Sequence, residues 1–111
     1  MNGDNNLNES LNVGNTLINS DFFEDVLNKV GFYNDSYPKT QAGFLSFLTY
    51  KKIIVSIAKI TDGWVYAGYD EEYDDVFTED YNVYPNFDTG INTAIVECTC
   101  YLYNKRNKKD N

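Results

Sequence analysis

An Asp-Gly dipeptide set between two runs of β-branched and aromatic residues constrains this chain more than anything else in it. Lys51 to Tyr69 reads KKIIVSIAKITDGWVYAGY, and Asp62-Gly63 is the only Asp-Gly with such flanks. Asp-Gly between alternating apolar runs is the strongest short-range hairpin signal, because glycine supplies the positive φ that tight turns need. The stretch predicts a strand near Ile53–Ile60, a turn at Thr61-Asp62-Gly63 and a second strand from Trp64 to Tyr69. In the first strand Ile53, Val55 and Ile57 share one face, and Ile54, Ser56, Ala58 and Ile60 share the other. Both faces are largely apolar, which suits a strand covered on two sides. In the second, Val65, Ala67 and Tyr69 alternate with Trp64, Tyr66 and Gly68.

A hairpin alone is marginal in water and needs cover. Two amphipathic stretches precede it. Ser20 or Asp21 can cap the first helix, with Asp21, Glu24 and Asp25 in the first turn, where they complement the positive end of the helix dipole. Phe22, Phe23, Val26, Leu27 and Val30 are expected on its buried face, and Gly31 is its natural stop. Phe32–Pro38, FYNDSYP, reads as turn chemistry. Thr40 opens TQAGFLSFLTYKK, where Phe44, Leu45, Phe47 and Leu48 supply an apolar face. A long strand from Phe44 is the competing reading. We favour a helix followed by a strand, although Gly43 costs about 1 kcal/mol of helix propensity relative to Ala.

Beyond the hairpin, Asp70–Asp75 is expected to be a solvated connection. A third strand is expected near Phe77–Tyr84, stopped by Pro85 and Asn86. The closing helix is the clearest element. Asp88 is its expected cap, and Ile91, Ala94, Ile95, Cys98 and Leu102 form one stripe at helical spacing. Lys105, Arg106, Lys108 and Lys109 suit its C-terminal end. We therefore expect one α+β domain over residues 20–106, a two-layer or sandwich arrangement with helices on a short antiparallel sheet of about three strands. Residues 1–19, rich in Asn and interrupted by Gly14, are expected to be a disordered or loosely docked arm, the alternative being a short helix near Glu9–Ile18, and 107–111 a polar tail.

From Gly63-Trp64 through FDTGINTAIVECTCYLYNK the chain resembles small phage and prophage proteins of the ABA-sandwich type. The matching residues are Trp64 and Tyr66, then Asp88, Thr89, Ala94, Ile95 and Leu102. The resemblance implies a Trp-bearing strand, a further strand and a closing helix. It implies no catalytic residues. The Asn, Tyr, Ile and Lys usage fits an A/T-rich coding source such as a gut bacterium or its phages.

Charge and missing residue types narrow the function. The chain has 111 residues, a net charge of −8 and no histidine. Phosphate binding needs clustered Lys and Arg, so direct contact with nucleic acid or an anionic membrane is disfavoured, whereas a basic protein partner is not. No apolar run approaches the length of a membrane span. The opening MNGDNNLNES is unlike a signal peptide, and a cytoplasmic protein is expected. Without histidine the commonest general base and the commonest transition-metal ligand are missing. Cys98 and Cys100 lie two apart on a helix, too divergent to pair easily, and are expected to be reduced thiols. The acidic run lacks the glycine and the twelfth-position Glu of a calcium loop. No phosphate loop or dinucleotide fingerprint occurs.

We expect no catalytic residue, no metal and no cofactor. The expected role is a small acidic, non-enzymatic protein-interaction module, an accessory protein of phage or mobile-element type. Its candidate contacts are Tyr66, Asp70, Glu71, Glu72, Tyr73, Asp74 and Asp75, with exposed carboxylates steering a basic partner and tyrosines supplying short-range contact. One alternative is an acidic inhibitor that mimics nucleic-acid charge and blocks a host nuclease or regulator. A second is a small hydrolase, for which the sequence offers no obvious base. Which face of the sheet stays open is left undecided by the residues alone.

Overall fold

A computed structural model describes residues 13–71 and 82–110, with side chains described for 14–71 and 82–105. In order the elements are α1 (Val13–Leu17), α2 (Asp21–Val30), a 3-10 turn (Phe32–Asn34), α3 (Gln41–Tyr50), β1 (Ile54–Ile60), β2 (Gly63–Tyr69) and α4 (Phe87–Asp110). The protein is α+β: among the described residues, helices pack on an antiparallel two-stranded sheet.

The helix boundaries follow from local chemistry. The Ser20 hydroxyl accepts from the Phe23 N–H at 3.1 Å, and Gly31 closes α2 in the left-handed region at φ 86°. Phe23, Val26, Leu27 and Val30 are buried, but Phe22 is 55% exposed. One residue is about 100° of helix rotation, which carries Phe22 off the face that its neighbour occupies. Residues 41–50 are helical, as favoured: the Thr40 hydroxyl accepts from the Gly43 N–H at 3.1 Å. Gly43 is there for packing. A Cβ on it would stand 1.9 Å from the Pro38 carbonyl oxygen, so the loop crosses the helix where only glycine fits.

The hairpin pairs Ile54 with Tyr69 through to Ile60 with Gly63. Only Thr61 and Asp62 remain in the loop. Gly63 belongs to β2, where its φ of 154° and the Tyr84 carbonyl, 2.3 Å from where a Cβ would lie, exclude other residues. Of the expected third strand, Phe77 to Tyr81 lie outside the described residues. Tyr84 makes a single antiparallel bridge to Trp64, with both N–H···O bonds at 2.8 Å.

Helix α4 is the element that the others share, touching α1, α2, α3 and both strands. Ile91, Ala94, Ile95 and Cys98 of the expected stripe are buried, and Leu102 packs at its edge. Its cap is Asn86 rather than Asp88. The Asn86 side-chain oxygen accepts from the Thr89 N–H at 2.9 Å and from the Thr89 hydroxyl at 2.8 Å. The helix starts at Phe87, so Asp88 lies inside the first turn and instead accepts from the Gln41 amide at 3.1 Å. Replacing Asn86 with Ala is therefore expected to cost about 1 kcal/mol in urea unfolding, and Asp88→Ala clearly less. The reverse order would return the cap to Asp88.

Part of the expected arm is docked. Gly14 lies so close to α4 that a Cβ would come within 2.1 Å of the Thr93 hydroxyl. Asn15 donates to the Thr89 hydroxyl at 2.9 Å and accepts from the Asn92 amide at 2.8 Å. Residues 1–12 lie outside the described residues. At the other end, α4 runs on to Asp110 rather than yielding to a tail at 107.

Candidate functional site

The alternation of β2 decides where its side chains go. Trp64, Tyr66 and Gly68 face the helices: the Trp64 ring meets Phe87 edge-on at 5.1 Å, and Tyr66 stacks on Tyr84 at 5.4 Å. The Tyr66 and Tyr84 hydroxyls are 3.3 Å apart. Burial, then the Tyr84 hydrogen bond, pushes the Tyr66 phenol well above its usual range. Desolvation also raises the carboxyl of Glu97, against the opposing effect of its hydrogen bond with Tyr66, although the residue is exposed to solvent. Tyr66 thus belongs to the interior edge of the sheet layer.

Asp70 continues the same alternation one step past the strand. It is buried, 4% exposed, and accepts from the Tyr101 hydroxyl at 2.7 Å. The Lys105 ammonium stands 3.6 Å from the same oxygen. It is therefore an internal anchor between β2 and α4, not the first residue of a solvated run. Period two, carried on from Tyr66 and Gly68, is the sequence signal that points Asp70 inward. Glu71 is exposed. Glu72, Tyr73, Asp74 and Asp75 lie outside the described residues.

Asp70 and Glu71 line a cleft of about 480 Å³ with Lys51, Lys52 and Lys105 over a floor that includes Ile53 and Leu102. The C-terminal ends of α2 and α3 also reach this cleft; of its lysines, Lys105 stands against Asp70, and the Lys51 ammonium lies 5.5 Å from the centre of the Tyr50 ring. The two thiols offer little reactivity. Burial pushes Cys98 up to about 12, and Cys100 is raised by the same cause. Neither is in a disulfide. Among the described residues no group of three or more Cys, Asp or Glu could hold a metal ion. No described helix is long and apolar enough to cross a membrane.

The opposite face of the hairpin is exposed along β1 and partly buried along β2. Cross-strand partners share a face, so Ile54, Ser56, Ala58 and Ile60 lie beside Tyr69, Ala67, Val65 and Gly63. Ile54 is 46% exposed and Ile60 37%. Asp62 at the turn and Glu71 beyond β2 bracket this face, both exposed. Its apolar residues are visible in the sequence as the second apolar face of the first strand. That pattern reads as a central strand, whereas among the described residues β1 has one neighbouring strand and helices on one side.

Comparison with protein-family models, with curated proteins and with solved structures gives no match.

Proposed function

We propose that this chain is a small acidic, non-enzymatic protein-interaction module, and that it binds through the uncovered face of its hairpin. The observation that carries the reading is the exposure of Ile54 and Ile60 on a strand whose other face packs on the core. Apolar side chains gathered on one open sheet face, with charged residues at the rim, suit protein recognition. The net charge of −8 favours a basic partner. In this reading the contact residues are Ile54, Ile60, Val65 and Tyr69, with Glu71, Glu72, Asp74 and Asp75 steering the approach. Tyr66 and Asp70 hold the hairpin to α4.

The test uses proteins retained from the native host by immobilised wild type and by the Ile54→Gln/Ile60→Gln variant. A specific partner should be held by the first and lost by the second, with the variant still folded by circular dichroism. For that partner, neutralising Glu71, Glu72, Asp74 and Asp75 should slow association and flatten its salt dependence, and the double variant should mainly speed dissociation. A partner held equally by both proteins would exclude this face.

A further inference from the structure

The edge of β1 carries an observation separate from the hairpin's uncovered face. Trp64 spends both of its backbone groups on Tyr84, away from β1. In an antiparallel ladder, pairs alternate between exchanging hydrogen bonds and turning away, so Lys59, opposite Trp64, also turns its N–H and C=O outward. Val55 and Ile57 follow by the same alternation. None of the three has a backbone partner on that side among the described residues. Such an edge is a template for another strand, and proteins usually blunt it with proline, bulges or several charges. The seven residues of β1, IVSIAKI, contain no proline and one charge, Lys59.

We propose that β1 pairs antiparallel with β1 of a second copy of this chain, joining two hairpins into a four-stranded sheet. The strand is self-complementary about Ile57. Full overlap about a two-fold axis puts Ile57 opposite its own copy and Val55 opposite Lys59. On the uncovered face it puts Ile54 opposite Ile60 and Ser56 opposite Ala58, so large apolar meets large apolar and small meets small. The same register carries Lys52 of one copy to the end of the ladder where Asp62 of the other lies, twice per dimer. Both residues are exposed. Local charge permits the approach despite the overall −8, because residues 51–61 contain Lys51, Lys52 and Lys59 and no acid. The inference extends the proposed function, since dimerisation doubles the uncovered face, but the dimer stands or falls on its own measurement.

Sedimentation equilibrium of the full chain over a wide concentration range should show the mass rising from 12.8 kDa towards twice that value. Two double variants then test the register. I54K/I60K places like charges directly opposite each other and should weaken the dimer at least about tenfold. I54E/I60K places opposite charges there and should restore it. Both remove the apolar contacts of the face, so both should lose the basic partner, which separates failure of the dimer from failure of the binding reading. K59P offers a third check, because it removes an outward N–H without touching the hairpin ladder, and it should also leave a monomer. A wild type that stays monomeric at every concentration overturns the proposal. So does a dimer that survives I54K/I60K and K59P, with circular dichroism confirming that each variant is folded.

Discussion

Phe32→Ala is expected to destabilise the protein by about 3–5 kcal/mol, a large share of the roughly 5–15 kcal/mol that holds a domain folded. Phe32 is 0% exposed. Its ring lies 5.1 Å from Phe44, 5.3 Å from Phe47 edge-on, and 6.2 Å from Tyr37, with centroids as the reference points. These contacts join the connection after α2 to the buried side of α3. Truncation removes the transfer energy of the ring, leaves a void between two helices that cannot fully close, and loses aromatic pairs worth more than their area. A urea titration should show a much lower midpoint with an unchanged slope. Tyr33→Ala is the control next door. Tyr33 is 41% exposed and donates to Glu24 at the surface, so its loss should cost far less. A Phe32→Ala midpoint close to wild type would remove this ring from the core.

Ile95→Ala should cost about 2–5 kcal/mol, and Ile95→Val about 0.5–1.5 kcal/mol. Ile95 is 0% exposed on α4, in the same cluster as Phe23, Leu27, Phe44 and Phe47. Because α4 meets α1, α2, α3 and both strands, the cavity would be felt by α2, α3 and the sheet together. Thermal melts of the two variants should be graded by the volume removed. A melt of Ile95→Ala that matches wild type would place α4 outside the core.

These two residues differ in how far the sequence reveals them. Ile95 sits in a stripe of five apolar residues at helical spacing, and periodicity of that kind reports burial whatever the partner is. Phe32 sits in FYNDSYP, where Asn, Asp, Ser and Pro announce a turn and conceal that the turn begins with a buried ring. The caps divide in the same way. Ser20, Thr40 and Gly31 stand at boundaries that the patterns around them already mark. At α4, Asn86 and Asp88 are both good capping residues, and the choice falls to Asn86 because Tyr84 is pinned to Trp64 just upstream.

The candidate site shows the same split. The hairpin, its two apolar faces and the acidic stretch after it are legible from residue alternation alone. Asp70 reads as the first residue of that stretch, yet it lies inward beneath Tyr101 and Lys105, because the pleat of β2 carries on one residue past its last ladder pair. What the sequence by itself determined is therefore local: three helices of sufficient length, two of them with their caps, a hairpin, and the stripe along α4, each set by the pattern of side chains along one element. What only the tertiary structure decided is how many layers there are. Among the described residues helices cover one side of a two-stranded sheet, so Val55 and Ile57 are drawn inward while Ile54 and Ile60 stay at the surface. No local pattern separates those two pairs, since burial depends on what arrives from elsewhere in the chain.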